Sequence, residues 1–437
     1  MRSQGRGKYA VRFLGMCIIL LLLVGNTAAG GEDAPPSGEA VCHASVGTPP
    51  QASAVGGSRN ETLGVSLNAE TRTVSVSVSE DVLTKLFEST GDTVSVTIPF
   101  VEEMRRYKAA FPCKSLSSGD GKKIELITPL GEIYLPTGML KGQSGGETAA
   151  VGVGRGDSSA FPEDVLGLLG EGAVLDLSLT IDGGQAEWEN PDFPVRVLIP
   201  YAPTAAQLRD PEHIVVLYVG GQGDAAVVPT GRYDAGTGEL SFTATRFGGY
   251  AAASVKKQFS DLDGCTWAKR AIEVLASKGI ACGTSENIFS PDGYVTRAEF
   301  LDMLLKALGL SASFDSNFSD VHAADAFSEA AGAAKKLGIA EGTGGGRFYP
   351  AKSISRQEMM ALAVRALKRY KGFYVSGYTD VLAALNDGDE IAPWAAESIA
   401  ALMDAGLIEG VSGRIDPLAK ATRAETAVFL YRLYNRF

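Results

Sequence analysis

A four-residue pattern recurs three times in the C-terminal half of the chain, as Thr296 to Glu299, Ser355 to Glu358 and Thr422 to Glu425. Each is typical of a capping box, in which the hydroxyl accepts from the backbone N–H three residues later and the Glu side chain reaches back. A cap does not require arginine, yet an arginine stands second in every pattern. Unpaired N–H groups and the helix dipole favour an anion at that position. The pattern therefore predicts three anion-binding arginines, at Arg297, Arg356 and Arg423, and six structural cap residues, at Thr296, Glu299, Ser355, Glu358, Thr422 and Glu425.

The size and charge of the chain limit what these arginines can serve. At 437 residues the chain is too long for one ordinary core, which predicts two to four domains. Its formal net charge is −11 and its isoelectric point is about 5.0. An acidic protein is a poor general partner for nucleic acid or anionic lipid. We therefore expect no nucleic-acid partner, and the arginines are local exceptions in an acidic field.

The first 29 residues have the pattern of a secretory signal peptide. Basic residues precede an apolar run from Phe13 to Val24, and small residues follow up to Ala29. The run is shorter than the ~20 residues that a membrane-spanning helix requires. We expect cleavage after Ala29 and no stable membrane insertion afterwards, with retention as an anchor as the alternative.

The next two segments differ in composition and periodicity. Residues 30–61 are rich in Gly, Pro, Ser and Ala and predict a flexible linker without secondary structure. Residues 62–255 alternate apolar and polar residues with period two, which predicts an all-β, sandwich-like module. Division of this module into two subdomains near residues 155–172 is an alternative. Two short helices are predicted within it, over Glu80 to Glu88 and Pro162 to Leu169.

The β-rich module shows little catalytic chemistry. The chain has three histidines, so no Ser/His/Asp or Cys/His arrangement can be assembled, and no metal-ligand spacing is present. Gly152 to Gly156 fits no nucleotide-binding motif and predicts a loop. The paired carboxylates Glu102-Glu103 and Glu187 with Glu189 resemble the pairs that glycosidases use, but surface carboxylates are the simpler interpretation. We expect no catalytic residues, no metal, no cofactor and no enzyme activity.

Four cysteines lie outside the predicted leader. Cys265 and Cys282 flank a predicted helix of about 12 residues, which would span ~18 Å. A disulfide requires Cα atoms within about 7 Å, so we do not expect that pair. A Cys42 to Cys113 disulfide stays an alternative, because an exported chain can oxidise its thiols.

Near Gln258 the period changes to 3.6 and repeats of about 60 residues begin. We place them at residues 258–311, 317–371 and 377–437. Each opens on an aromatic residue followed by a hydroxyl residue and an aspartate, continues with an amphipathic helix, and reaches a glycine-bounded turn. A loop ending in proline then leads to the capping box and a second helix. The openings are Phe259-Ser260-Asp261-Leu262, Phe318-Ser319-Asp320-Val321 and Tyr378-Thr379-Asp380-Val381.

This order of signals resembles the S-layer homology domain, in all three copies. The resemblance implies an all-α bundle of three repeats with pseudo-threefold symmetry, which holds surface proteins non-covalently on a secondary cell-wall polysaccharide. It further implies that the ligand carries pyruvate ketals, and that the repeated arginine binds the pyruvyl carboxylate in grooves between neighbouring repeats. The matching arginines are Arg297, Arg356 and Arg423. A guanidinium at a helix N-terminus suits a carboxylate in the same planar way.

Five further residues are candidate ligand contacts. Asp261, Asp320 and Asp380 would either cap the first helix of their repeat or accept from sugar hydroxyls, and capping is the favoured interpretation. Trp267 and Trp394 would either stack on a sugar or pack in the core, and the core is favoured. The second repeat departs from the pattern with Phe327 at the tryptophan position and Gln357 in its box. The third repeat has Ile415 where an aromatic residue is usual.

We therefore predict a multidomain, exported protein that is displayed at the extracellular surface in the cell wall or S-layer. Its repeats would bind a pyruvylated secondary cell-wall polysaccharide, and its β-rich module would face outward. One alternative is a surface-tethered polysaccharide-active enzyme or an accessory carbohydrate-binding protein. Another is a structural S-layer subunit that associates with itself in a lattice.

Overall fold

A computed structural model describes residues 50–143, 145–158, 165–166, 169, 174–220, 225–375 and 379–437. The predicted signal peptide, most of the predicted linker, Cys42 and most of the predicted helix over Pro162 to Leu169 lie outside these residues. None of the described helices is long and apolar enough to cross a membrane.

The N-terminal region is a β-rich module of two sheets. Several alternating sequences form strands with one buried face, as in Arg106–Pro112, where Tyr107, Ala109 and Phe111 enter the core. The strand Ile214–Val219 is buried at every position. The strands are β1 (Ala52–Gly56), β2 (Arg59–Leu63), β3 (Val65–Asn68), β4 (Thr73–Ser77), β5 (Thr93–Thr97), β6 (Arg106–Pro112), β7 (Lys123–Thr128), β8 (Gly131–Pro136), β9 (Thr148–Arg155), β10 (Val174–Ile181), β11 (Gly184–Ala186), β12 (Val195–Pro200), β13 (Ile214–Val219), β14 (Ala225–Val228), β15 (Arg232–Asp234), β16 (Glu239–Ala244) and β17 (Gly249–Ser254).

The strand order within each sheet joins distant parts of the module. One sheet runs β15-β16-β12-β8-β7-β5-β1-β2, and the other runs β14-β13-β17-β10-β9-β6-β4-β3, with β11 paired to β10. Among the described strands, β4 pairs with β6 and β5 with β7 in parallel, and the remaining pairs are antiparallel. Helix α1 (Glu80–Thr90) carries the chain from β4 in one sheet to β5 in the other.

One hydrophobic core is shared by the two sheets. It contains Val76 and Val151 from one sheet and Val94 and Val197 from the other. These residues come from both sides of the alternative boundary near residues 155–172, and they belong to one core. The inward-facing apolar side chains of the two sheets therefore pack against one another.

The expected linker over residues 30–61 is wrong at its C-terminal end, because β1 lies within it and β2 begins within it. Small side chains make this possible, since Ala52 and Ala54 are buried in the module core. A Cβ atom at Gly56 would lie only 2.6 Å from the backbone oxygen of Leu86 in α1. A segment rich in Ala and Gly is here an inner strand that lies close to a helix.

The C-terminal region is helical, as its 3.6-residue period predicts. Its helices are α2 (Thr266–Ser277), α3 (Arg297–Leu308), α4 (Ser328–Lys336), α5 (Arg356–Tyr370), α6 (Pro393–Asp404) and α7 (Arg423–Arg436). They share a hydrophobic core that includes Leu301, Ala363 and Leu430. The first helix of each repeat packs on the second helix of another repeat: α4 on α3, α6 on α5, and α2 on α7. The repeats therefore depend on one another for burial.

Polar contacts join the module to the first and third repeats. Lys278, after α2, is 2% exposed and donates to the backbone oxygens of Ile214 and Gly231. Glu212 accepts from Arg270 of α2 and from Tyr431 of α7. The module and the repeats are thus connected by directional hydrogen bonds. Cys265 and Cys282 on either side of α2 are free thiols, and Cys113 forms no disulfide with a described cysteine.

Candidate functional site

The three capping boxes begin the second helix of each repeat. In the first, the Thr296 hydroxyl accepts from Glu299 N–H at 3.2 Å, and the Glu299 carboxylate accepts from Thr296 N–H at 2.8 Å. Ser355 with Glu358 and Thr422 with Glu425 make the same pair of bonds. Each cap therefore fixes the first turn that carries the repeated arginine.

Backbone hydrogen bonds link the segments before these caps in a closed cycle. Ile354 N–H donates to Val295 O, Ala421 N–H donates to Ile354 O, and Val295 N–H donates to Ala421 O, each at 3.0 Å. All three residues are fully buried. The N–H groups of the three arginines then donate to the loop of a different repeat, at Lys352, Ala419 and Gly293. Each arginine is therefore positioned by two repeats at once.

Two of the arginines are buried and satisfied within the protein. The Nε of Arg297 donates to Phe348 O at 2.9 Å, and its Nη1 donates to Glu358 at 3.0 Å. The Nε of Arg423 donates to Phe289 O at 2.8 Å, its Nη2 donates to Cys282 O, and Glu299 lies at 3.7 Å. Each guanidinium also lies over the ring of the phenylalanine whose oxygen it binds. These groups hold neighbouring repeats together.

Arg356 differs because it lines an open cavity of about 330 Å³. Its side chain is 17% exposed, against 7% for Arg297 and 10% for Arg423. Its Nε donates to Ile415 O at 2.7 Å and its Nη1 to Glu425 at 2.7 Å. In this loop Ile415 takes the place that Phe289 and Phe348 hold beneath the other two arginines.

The cavity beside Arg356 is lined by residues of all three repeats. Trp267 of α2 contributes an exposed indole, Arg432 of α7 a second guanidinium, and Glu409 a carboxylate. Apolar side chains of α5, of α7 and of the turn after α6 also line it, together with Glu425. Aromatic, apolar and charged groups thus converge on one concave surface, as in small-ligand sites.

Neither predicted tryptophan is in the core. Trp267 and Trp394 are both exposed, at corresponding places near the start of α2 and α6. The favoured core interpretation is therefore wrong for both, because these positions face away from the apolar stripe of each helix. Phe327, at the same place in the second repeat, is partly buried against the core.

Asp261 and Asp320 hold the proline loop of their own repeat instead of capping its first helix. The Asp261 carboxylate accepts from Phe289 N–H and Ser290 N–H at 3.0 and 2.7 Å. Asp320 accepts from Phe348 N–H and Tyr349 N–H in the same way. Ser290 and Tyr349 have φ of 59° and 56°, the left-handed region that non-glycine residues rarely adopt. The aspartate thus stabilises an unfavourable turn.

In the third repeat this role belongs to Asp387, not to the predicted Asp380. Asp387 accepts from Ile415 N–H and Asp416 N–H, and Asp416 has φ of 50°. Burial acts to raise the pKa of Asp387, but these N–H groups and Arg414 hold it below its ordinary value. Asp380 is exposed, at the start of a short 3-10 helix.

A constant spacing identifies Asp387 in the sequence. The aspartate and the first loop residue that it binds are 28 positions apart in every repeat. Asp380 satisfies the local motif but not this spacing. The motif in the third repeat is displaced because the chain there carries additional residues before Pro393.

The other predicted features of the module carry no assembled site among the described residues. Gly152 and Gly154 lie within β9 and not in a loop. A Cβ atom on Gly152 would meet the Ser178 hydroxyl at 2.6 Å, so glycine there allows close approach of neighbouring side chains. Glu102, Glu103, Glu187 and Glu189 are exposed. No group of three or more metal-ligating residues occurs in the described part of the chain.

Comparison with known families identifies the helical region. Residues 258–301, 317–360 and 384–427 each match the S-layer homology domain. The C-terminal region therefore consists of three S-layer homology domains. In all three matches the loop-binding aspartate is the fourth residue, which places Asp387 alongside Asp261 and Asp320.

Known proteins with similar sequences fall into two groups. An amylopullulanase of Thermoanaerobacterium thermosulfurigenes is 35% identical over 236 residues, or 53% of this chain and 12% of that protein. The exoglucanase XynX of Acetivibrio thermocellus is 38% identical over 39% of this chain and 16% of its own length. A surface-layer 125 kDa protein of Lysinibacillus sphaericus is 31% identical over 42% of this chain and 15% of its length. This chain thus spans a minor part of each relative.

The prediction that the protein has no enzyme activity is wrong, because similarity to enzymes leaves such an activity open. Relatives named as an amylopullulanase, an exoglucanase, a xylanase and an endoglucanase match the chain. Their matches cover the S-layer homology domains and only part of the β-rich module. The scarcity of histidine therefore does not rule out catalysis, since paired carboxylates suffice for glycoside hydrolysis.

Proposed function

We propose that the three S-layer homology domains attach this protein to an acidic secondary cell-wall polysaccharide, so that the β-rich module is displayed at the cell surface. The ligand that we propose carries pyruvyl carboxylates, and export by a cleaved signal peptide is part of the same proposal. The observation that carries it is the cavity beside Arg356, in which a guanidinium, an exposed indole and a second arginine converge. The family match supports the cell-wall partner.

We also propose that the three domains form a bundle with pseudo-threefold symmetry. The cyclic hydrogen bonds through Val295, Ile354 and Ala421 support it, because each residue donates to one neighbour and accepts from the other. The cyclic packing of α2 on α7, α4 on α3 and α6 on α5 supports it as well. On this proposal the three grooves are related by symmetry but differ in how open they are.

Arg356 is the arginine that we propose for the pyruvyl carboxylate. Its Nη1 already binds Glu425, so the ligand carboxylate would approach the cavity side of the guanidinium and bind in the planar, two-point manner of arginine. Trp267 would stack on a sugar ring, and Glu409 would accept from sugar hydroxyls. We propose structural roles for Arg297 and Arg423, whose guanidinium groups are less exposed than that of Arg356 and lie over phenylalanine rings. Trp394 is a second, exposed surface for sugar stacking.

Sedimentation with purified cell walls tests the role of Arg356. We expect Arg356→Gln to weaken wall binding at least about tenfold, because the guanidinium and its charge-assisted hydrogen bond to the ligand are lost while the side chain stays polar. Arg369→Gln removes an exposed arginine from the same helix and should bind as the wild type does. Wild-type protein should also lose binding to walls from which pyruvate has been removed chemically. Equal sedimentation of Arg356→Gln and the wild type would contradict the proposed site.

A second candidate function is a polysaccharide-active surface enzyme, favoured by the amylopullulanase match. That match is longer than the region from residue 258 to residue 437, and so extends into the β-rich module. Release of reducing ends from soluble glycans by the full chain would support it. A third candidate is a lattice subunit, favoured by relatives named as S-layer proteins. Electron microscopy of the purified chain would then reveal ordered sheets.

A further inference from the structure

A cavity of about 440 Å³ opens at one edge of the β-rich module, where β4 and β6 begin and β9 ends. Its lining includes three arginines, one at each of these strand ends: Arg72, Arg105 and Arg155. The remaining lining is mostly apolar. This cavity shares no residue with the cavity beside Arg356.

The backbone brings the three arginines together. Arg105 N–H donates to Arg72 O at 2.9 Å, and Arg155 N–H donates to Arg105 O at 3.0 Å. All three side chains are exposed, and none makes an ion pair with another described residue. Like charges repel one another, so a cluster of guanidinium groups with no ion pair among the described residues, in a protein of net charge −11, indicates attraction of an anion.

The other lining residues indicate more than a simple ion. Phe100 lines the cavity and is 71% exposed, which is unusual for a phenylalanine. Tyr107 is 1% exposed and lines the cavity, and its hydroxyl has no hydrogen-bond partner among the described residues. Glu103, the carboxylate in the lining, can accept hydrogen bonds from hydroxyl groups.

The backbone at this edge adopts unusual conformations. Arg72 has φ of 48° and Glu103 has φ of 64°, both in the left-handed region. Such residues cluster at functional sites, where the surrounding structure holds them in place. Here each of the two strained residues contributes a charged side chain to the cavity.

We infer that this cavity binds a negatively charged saccharide, one bearing carboxylate or phosphate groups. The arginines would bind the anionic groups, Phe100 would pack on a ring face, and Tyr107 and Glu103 would hydrogen-bond to hydroxyl groups. The volume is within the range of small-ligand sites. This site goes beyond wall attachment by the S-layer homology domains, because it gives the displayed module a ligand of its own.

Calorimetric titration of the full chain with tetragalacturonate and with glucose 6-phosphate tests the inference in its carboxylate and phosphate forms. We expect at least one of them to bind. We expect Arg105→Gln combined with Arg155→Gln to weaken that binding at least about tenfold, because two charge-assisted contacts are lost. Phe100→Ala should also weaken it without changing the net charge. Arg59→Gln combined with Arg209→Gln removes two exposed arginines outside the cavity and should have no effect.

Maltotetraose and inorganic phosphate separate the two parts of the inference. Neutral maltotetraose should not bind, and inorganic phosphate should bind more weakly than the charged saccharides. The inference is overturned if neither charged saccharide binds, if the two double variants behave alike, or if inorganic phosphate or poly-glutamate binds more tightly. Arg356→Gln should leave this binding intact, so failure of the wall-binding proposal is distinguishable from failure of this one.

Discussion

The loop-binding aspartates show how one carboxylate can secure an unfavourable backbone. Each accepts two N–H groups from a loop in which a non-glycine residue has positive φ. The N–H groups of the buried residues Phe289, Phe348 and Ile415 would otherwise lack partners, which costs free energy. The same loop supplies the backbone oxygen that binds an arginine, at Phe289, Phe348 or Ile415. The aspartate therefore acts on the arginine through the loop.

Asp387→Asn should destabilise the protein. The amide can accept one of the backbone N–H groups but offers its own NH₂ to another, so we expect a loss of about 1–3 kcal/mol in the free energy of unfolding. Urea denaturation at pH 7 would measure it. Asp380→Asn is the matched control, since Asp380 is exposed, and should change stability by less than about 0.5 kcal/mol. A larger effect at Asp380 would restore the position predicted from the local motif.

The same pair of variants should differ in acid. Because the pKa of Asp387 is held below its ordinary value in the folded state, its contribution is present above the unfolded pKa and disappears as pH falls through the folded one. The variant Asp387→Asn should therefore lose less stability than the wild type on acidification below about pH 4. If Asp387→Asn and the wild type lost the same unfolding free energy on acidification, this account would be contradicted.

Sequence periodicity and local motifs predicted the roles of some residues but not of others. Thr296, Ser355 and Thr422 follow from the sequence because a cap depends on residues three positions apart. The burial of Arg297 and Arg423 does not, since their partners Phe348 and Phe289 are 51 and 134 positions away. A guanidinium at a helix start predicts a nearby anion. For Arg297 and Arg423 a glutamate of another repeat is such an anion.

At the scale of elements, each helix of the repeats could be predicted but its packing partner could not. The second helices begin at Arg297, Arg356 and Arg423, directly after the predicted caps. An apolar stripe shows which face of a helix is buried, but it does not show which other helix covers that face. The pairing of α2 with α7 joins the first repeat to the third. This pairing brings Trp267 of α2 and Arg432 of α7 to the same cavity beside Arg356.

Ala421→Pro tests whether the repeats are coupled through their central hydrogen bonds. Proline removes the N–H that Ala421 donates to Ile354, which leaves a buried carbonyl oxygen unpaired. We expect amide hydrogen exchange to become at least about tenfold faster in α3, α5 and α7 together. Mass spectrometry of exchanged peptides would show it.

Ala421→Gly is the control for that experiment, because glycine keeps the N–H. It should change exchange much less in all three helices. Faster exchange confined to α7 in Ala421→Pro would mean that the repeats are stabilised independently.

At the scale of the whole molecule, a buried lysine joins the module to the repeats. The sequence does not reveal it, since Lys278 follows α2 at a position where an exposed cation is ordinary. In the structure it is buried against Ile214 and Gly231 of the module. Burial lowers the pKa of Lys278 to about 7. Its protonation is therefore linked to folding in the neutral range.

The stability of the wild type should rise with pH above about 7 because of this lysine. Between the folded pKa near 7 and the ordinary value of 10.5, the unfolded chain binds a proton that the folded chain does not. The free energy of unfolding then rises by at most about 1.4 kcal/mol per pH unit. Urea denaturation between pH 7 and 10 should show a smaller slope for Lys278→Met than for the wild type. Lys336→Met, at an exposed lysine, should keep the wild-type slope, and equal slopes for all three proteins would contradict the linkage.

The pairing of α2 with α7 has a consequence for the order in which the chain is made. Helix α2 of the first repeat is synthesised well before α7, the helix on which it packs. In the same way, the backbone oxygen of Gly293 accepts a hydrogen bond from the N–H of Arg423, which lies 130 positions later in the chain. During synthesis from the N-terminus, the apolar face of α2 therefore lacks its packing partner until α7 has been made. Chains that terminate before α7 would leave that face exposed.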